Sequence, residues 1–323
     1  MNTIVSFIVP VQEEINTVEA IMRSQADGNH PDLRTALNLL LSAGGKRIRP
    51  ALTILSGRML GADPERILAL AAAIELLHTA TLVHDDLIDN SLLRRGTPTL
   101  NSRWSPGATV LTGDFIFAKA ANMAANTNSI AVMKLFAGTL STIVNGEITQ
   151  LFADRCKADR QSYDFRIYSK TASLFETSAK AAAIISPVNE TTVEAMRVYG
   201  YNIGMAFQII DDILDFTSEA TTLGKPVGSD LRQGIITLPA IVYAETHTDD
   251  PIARYLLEGR CQQSEDRLET LIDHIRSSDA IRLSHQEAVR YVEAGLLSLR
   301  QLPENSERFA LEDLANYIVQ REV

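Results

Sequence analysis

Two cysteines in 323 residues, Cys156 and Cys261, are too few for a disulfide framework, and neither lies in a CxxC pair or near a histidine at metal-ligand spacing. The expectation is a pair of buried free thiols in a reducing cytoplasm rather than a stapled secreted scaffold. Aromatic residues are scarce, at 6%, and no run of alternating strand-type residues is found, which removes the signature of a β-rich fold. Positive charge is in deficit: 30 Lys+Arg against 40 Asp+Glu leave a formal charge of -10, so nucleic acid is not an expected partner and any anion site has to be local. The longest apolar stretches are interrupted by charges such as Glu75 and Lys134, short of the roughly 20 residues that a transmembrane helix needs, so no transmembrane segment is expected. The opening MNTIVSFIVPVQEEIN has no basic residue before its apolar run and no small-residue cleavage pattern, so the chain reads as cytoplasmic without a signal peptide. No nucleophile elbow and no metallohydrolase signature is present.

What the chain does have is 46% hydrophobic residues, with Ala, Leu and Ile recurring at spacings of three and four. This predicts helices over 9–24, 32–42, 46–60, 64–93, 107–126, 129–154, 170–185, 190–217, 231–246, 263–277, 282–300 and 307–320. Breakers separate them, among them Pro31, Gly44-Gly45, Gly61 with Pro64, Gly96 with Pro98, Pro106, Pro187, Pro251 and Pro303. No low-complexity linker divides the chain, so residues 1–323 are expected to form a single all-α domain of long helices around a core.

One short pattern occurs twice: DDLID at 85–89 and DDILD at 211–215. Residues four apart share a helix face, so Asp85 pairs with Asp89, and Asp211 with Asp215. Acidic clusters on helices are often solvated faces. Here, however, each copy directly follows an apolar segment, TATLV or GMAFQII, where repulsion and desolvation oppose ionisation unless a cation is present. Paired hard carboxylates held by rigid helices suit Mg²⁺, which completes its octahedron with water and substrate phosphate. The repetition predicts facing helices that share one metal site.

Positive groups are spaced to meet such a phosphate. AGGKRIRP at 43–50 sets Lys46, Arg47 and Arg49 at an expected helix start, where exposed amides also favour anions, although it is not a Walker A loop. His78 lies seven residues before Asp85 and so on the same helix face. Arg94 and Arg95 close that segment before Gly96 and are able to turn back toward bound phosphate. Lys170-Thr171, Lys225 and Gln208 are further candidates, Gln208 sharing the face of Asp211 and Asp215.

Together AGGKRIRP, ELLHTATLVHDDLIDNSLLRRGTPT, KTASL, FQIIDDILDF and GKPVGSDLRQGIITLP resemble, in content and order, the trans-isoprenyl diphosphate synthases, most closely the long-chain (all-E) polyprenyl diphosphate synthases. The resemblance runs from about residue 10 to 245. It implies the all-α isoprenoid synthase fold with a deep central cavity, a homodimer, and Mg²⁺-dependent head-to-tail condensation of isopentenyl diphosphate onto an allylic diphosphate, with three ions bound together with diphosphate. Carried over by motif, Asp85, Asp89 and Asp211 hold the metal, supported by Asp86, Asp212 and Asp215. Arg94, Lys170, Thr171, Gln208 and Lys225 hold the allylic diphosphate, Lys170 and Lys225 also counting as catalytic; Lys46, Arg49, His78 and Arg95 hold isopentenyl diphosphate. SDLRQGIITLP departs from the family in having Ser229 where Asn is common and Ile235 near a usual Lys, which bears on the closing loop.

The resemblance also addresses product length. Short-chain relatives carry bulky aromatics a turn or so before the first aspartate motif, whereas this chain has Ala80 and Thr81, with Leu77 and Leu76 a turn further down. The expectation is a product longer than C20, made from farnesyl or geranylgeranyl diphosphate, with transient membrane contact at release. The alternatives are a C20 synthase or the catalytic subunit of a two-component synthase. A class I terpene cyclase fits less well, because its second metal motif is asymmetric, and a squalene-synthase-like enzyme lacks the second basic set.

Overall fold

The computed structural model describes residues 6–42, 44–94, 96–153, 156–218, 226–259 and 265–321. After a 3-10 turn at Ser6–Val11, the helices are α1 (Gln12–Ser24), α2 (Pro31–Ser42), α3 (Ile48–Met59), α4 (Pro64–Ile88), α5 (Pro106–Ala125), α6 (Ile130–Phe152), α7 (Arg160–Ile167), α8 (Ser173–Ile184), α9 (Glu190–Thr217), α10 (Ser229–Arg232), α11 (Leu238–Thr246), α12 (Pro251–Leu257), α13 (Glu265–Ser277), α14 (Ala280–Leu299) and α15 (Ser306–Val319). The all-α expectation holds. Several prolines that read as breakers are helix starters: Asp63 caps α4 by accepting from Arg66 N at 3.1 Å with Pro64 in the first turn, and Asp250 does the same for α12 ahead of Pro251.

Two expected helices end differently. The segment 64–93 stops at Ile88, because Asn90 takes a left-handed φ of 51° and Ser91 N turns back to Asp86 O at 2.8 Å. A two-residue hairpin follows, β1 (Leu93–Arg94) paired antiparallel with β2 (Thr97–Pro98) in the register Leu93↔Pro98 and Arg94↔Thr97. The segment 231–246 is split into α10 and α11, with Gly234 at φ 76° between them. Helices α7 and α12 are short and were not expected. Cys156 is disulfide-bonded, so the expectation of free thiols fails there, and Cys261 lies outside the described residues.

The chain forms two compact units. The first comprises Met1–Thr139, Leu174–Gly200 and Ser298–Leu314; the second comprises Leu140–Ser173, Tyr201–Leu297 and Ala315–Val323. In the first unit α4 is the central element, packed against α1, α3 and α5. Ala71–Ile74, Leu76, Leu77 and Ala80 are fully buried, as expected for a helix that is apolar all round. Contrary to the reading of interrupted apolar runs, α4 is long and apolar enough to cross a membrane, but 67% of its most apolar window is buried, the position of a core helix. Gly113 lets α5 lie close to it: a Cβ there would meet the His84 ring at 2.5 Å. In the second unit α11 packs on α7, α12 and α13. The buried face of α9 includes Ile209, Ile210, Ile213 and Phe216.

Candidate active site

The first aspartate motif ends α4. Asp89 is its C-cap and donates its N–H to Asp85 O at 2.8 Å, so the helical turn is intact and the two carboxylates keep the four-residue spacing. Asp85 is half-buried and Asp89 exposed. Asp86 points elsewhere: it is 4% exposed, and Arg94, returning on β1, reaches its Oδ1 through Nε at 2.9 Å and Nη2 at 2.8 Å. The bond between two predicted diphosphate and metal residues thus ties the hairpin to the helix end.

At the start of α3, Arg49 and His78 come together, Nη1 to Nε2 at 3.2 Å, with the guanidinium over the Phe175 ring at 4.6 Å from its centroid. Lys46 is exposed beside Gly44, whose φ is 75°. Arg47 departs from the expected phosphate cradle. It is the N-cap of α3 in a left-handed conformation (φ 45°), and its side chain turns inward to Glu19 at 2.7 Å, Glu75 at 2.8 Å and Leu41 O at 3.0 Å. The cause is Glu75 on buried α4, whose charge requires a partner in the core. The helix consequently begins at Ile48 rather than Lys46.

Below the motif, Ala80 and Leu77 are fully buried, and Thr81 is half-buried with its hydroxyl donated to His78 O at 2.8 Å.

In the second unit, Lys170 and Thr171 lie on a π-helical turn, Tyr168–Ala172, a backbone irregularity that recurs at functional sites. Gly146 of α6 admits this turn: a Cβ at 146 would stand 2.4 Å from Ser169 Cβ. Lys170 Nζ pairs with Glu147 Oε1 at 2.9 Å. Thr171 Oγ1 donates to Gln208 Oε1 at 2.7 Å, Gln208 Nε2 donates to Asp212 Oδ1 at 2.8 Å, and Tyr163 OH donates to Asp212 Oδ2 at 2.8 Å. Asp212 is 3% exposed, and burial, reinforced by the charge of Asp230, pushes its carboxyl up to about 8. Both its oxygens are bonded to protein groups, Tyr163 and Gln208.

Asp215 is also spoken for by protein: its two oxygens accept from Ser229 N at 3.2 Å and Asp230 N at 3.1 Å, pinning the first turn of α10. Asp211 is half-buried and pairs with Arg321 Nη1 at 2.7 Å, whose guanidinium lies over Phe207 at 4.6 Å. Arg95 and Lys225 lie outside the described residues. Sequence reasoning missed Tyr163, Glu147 and Arg321. Tyr163 and Glu147 lie between the motifs rather than in one, Tyr163 seven residues before Lys170, and Arg321 lies beyond the stretch that carries the resemblance.

Residues 30–275 match the model of the polyprenyl synthetase family. The chain is 37% identical over 328 residues to the chloroplastic solanesyl-diphosphate synthase 2 of Oryza sativa, covering 98% of this chain and 79% of that one. It is 36% identical to heptaprenyl diphosphate synthase component 2 of Bacillus subtilis, over 96% of this chain and 89% of the relative. The crystal structure of a polyprenyl synthase from Caulobacter crescentus, complexed with calcium and isoprenyl diphosphate, superposes with a TM-score of 0.90 at 33% identity over the full length of both chains. With its two aspartate motifs and its basic residues in family order on an all-α scaffold, the chain is a prenyltransferase and belongs to the polyprenyl synthetase family.

Proposed function

We propose that the protein condenses isopentenyl diphosphate head-to-tail with an allylic diphosphate, farnesyl or geranylgeranyl, in a Mg²⁺-dependent reaction that makes an all-trans polyprenyl diphosphate longer than C20. The observation that carries this reading is the end of α4, where Asp85 and Asp89 emerge from a buried apolar helix bearing small Ala80 and then Leu77 just below. Mg²⁺ takes one or two protein carboxylates and fills its remaining positions with water and substrate phosphate. Asp85, Asp89 and Asp211 are the proposed ligands, for three ions held with the diphosphate. Bound there, the ions neutralise the negative charge that grows on the departing diphosphate.

The chain's own residues do the rest. Lys170, Thr171, Gln208, Arg94 and Lys225 are assigned to the allylic diphosphate, contacts that lower the barrier insofar as they strengthen when the C–O bond ionises. Lys46, Arg49, His78 and Arg95 are assigned to isopentenyl diphosphate, holding its double bond against the allylic cation. The C–O bond breaks first, its electron pair leaving with the diphosphate, the double bond of isopentenyl diphosphate then forms the C–C bond with the allylic cation, and the proton lost afterwards goes to the released diphosphate. No protein nucleophile is required.

A homodimer is supported by α6, whose exposed face carries Ile130, Val144, Ile148, Leu151 and Phe152. Exposed Leu92 and Leu93 beside the first motif support transient membrane contact during product release by a cytoplasmic enzyme. The test is incubation of the purified protein alone with Mg²⁺, isopentenyl diphosphate and either allylic primer, followed by product sizing. Products beyond C20 are expected. C20 alone favours the shorter-chain reading, and activity only with a second protein favours the two-component reading, which the likeness to a heptaprenyl component 2 keeps in view.

A further inference from the structure

We infer that Tyr163, to which no role has been assigned, is a positioning residue for the allylic diphosphate, acting through Asp212 on the orientation of Gln208 and Thr171. The inference deepens the proposed function and rests on it. Tyr163 is 1% exposed on α7, and its hydroxyl has one buried acceptor, Asp212 Oδ2 at 2.8 Å. The other oxygen of Asp212 takes the Gln208 amide at 2.8 Å, and the Gln208 carbonyl takes the Thr171 hydroxyl at 2.7 Å. The Gln208 amide donates to Asp212 Oδ1 and its carbonyl accepts from Thr171, which leaves its second amide N–H uncommitted within this chain of bonds.

Held from below by Asp212 and by the buried Thr171 hydroxyl, Gln208 presents one geometry to a ligand instead of sampling several, so ordering entropy is spent in folding rather than in binding. The π-helical turn Tyr168–Ala172 follows α7 directly, so exposed Lys170 and buried Thr171 sit on a segment whose next anchor toward the N-terminus is α7 itself. Tyr163 is braced in turn by Arg166, whose guanidinium lies 5.5 Å from its ring centroid. Removing the Tyr163 hydroxyl leaves Asp212 buried with one donor fewer and the amide of Gln208 able to rotate.

Tyr163→Phe keeps the ring and deletes the bond. The expected result is a KM for the allylic diphosphate raised about three- to tenfold, with kcat and the KM for isopentenyl diphosphate changed by less than about twofold. In a Thr171→Val background the same substitution is expected to add less than about twofold, because the two act through one chain of bonds. A second measurement needs no loss of the hydroxyl and no turnover: 3-fluorotyrosine placed at position 163 alone should shift its ¹⁹F resonance when a non-reacting allylic thiolodiphosphate saturates the protein. The same label at buried Tyr199, which donates to Leu311 O at 2.6 Å, should not move. An unchanged allylic KM, an equal rise in both KM values, full additivity with Thr171→Val, or a silent fluorine at 163 under saturation overturns the inference. If the unaltered protein neither binds the thiolodiphosphate nor makes product, it is the proposed function that fails instead.

Discussion

Arg47 and Arg49 stand two residues apart in AGGKRIRP and do opposite things. A left-handed backbone at Arg47 sends its guanidinium into the core against Glu75 and Glu19, while Arg49 meets His78. Arg47→Ala is expected to lower unfolding stability by about 3 kcal/mol, measured by denaturant titration, because it strands the buried carboxylate of Glu75. A double variant with Glu75→Leu should recover much of that loss. Asp85→Asn, by contrast, should leave the unfolding midpoint nearly unchanged and cut kcat about a hundredfold or more in single-turnover assays with Mg²⁺. Which charged residues of a motif turn into the core was not legible from spacing. The acidic residues are divided in the same way: Asp86, Asp212 and Asp215 are engaged by Arg94, Tyr163 and the α10 amides, and Asp211 by Arg321.

Long apolar helices were read correctly, because periodicity over twenty residues is a strong signal; short polar ones were not. α7, with sequence RQSYDFRI, has no apolar stripe of its own and forms under an Asp159 cap that accepts Ser162 N at 2.8 Å. The π-helical turn after it depends on Gly146 across the contact. Gly146→Ala should cost about 1–3 kcal/mol in denaturant unfolding, since the added methyl meets Ser169, and should weaken allylic diphosphate binding more than isopentenyl diphosphate binding. On α4, Ala80→Phe places a large ring in a fully buried position below the first motif. Chromatography of the products should show shorter chains than the parent makes; unchanged length would remove Ala80 from the path of the growing chain.

At the scale of the whole molecule, the net charge of -10 is compatible with local cationic sites because Arg47, Arg94 and Lys170 are each placed against a specific carboxylate. The apolar face of α6 predicts association: Val144→Asp with Ile148→Asp should halve the mass measured by light scattering, as two buried charges oppose a dimer interface. Composition and helical period determined the fold class, and the resemblance of the ordered motifs pointed to the family and the residues to inspect, since these are local properties that a sequence carries at fixed separations. Only the tertiary structure decided that Asp212 is tied to Tyr163, Arg47 to Glu75 and Arg94 to Asp86. Those pairings close loops of 8 to 49 residues, and burial rather than spacing selects the partner of a charge in the core.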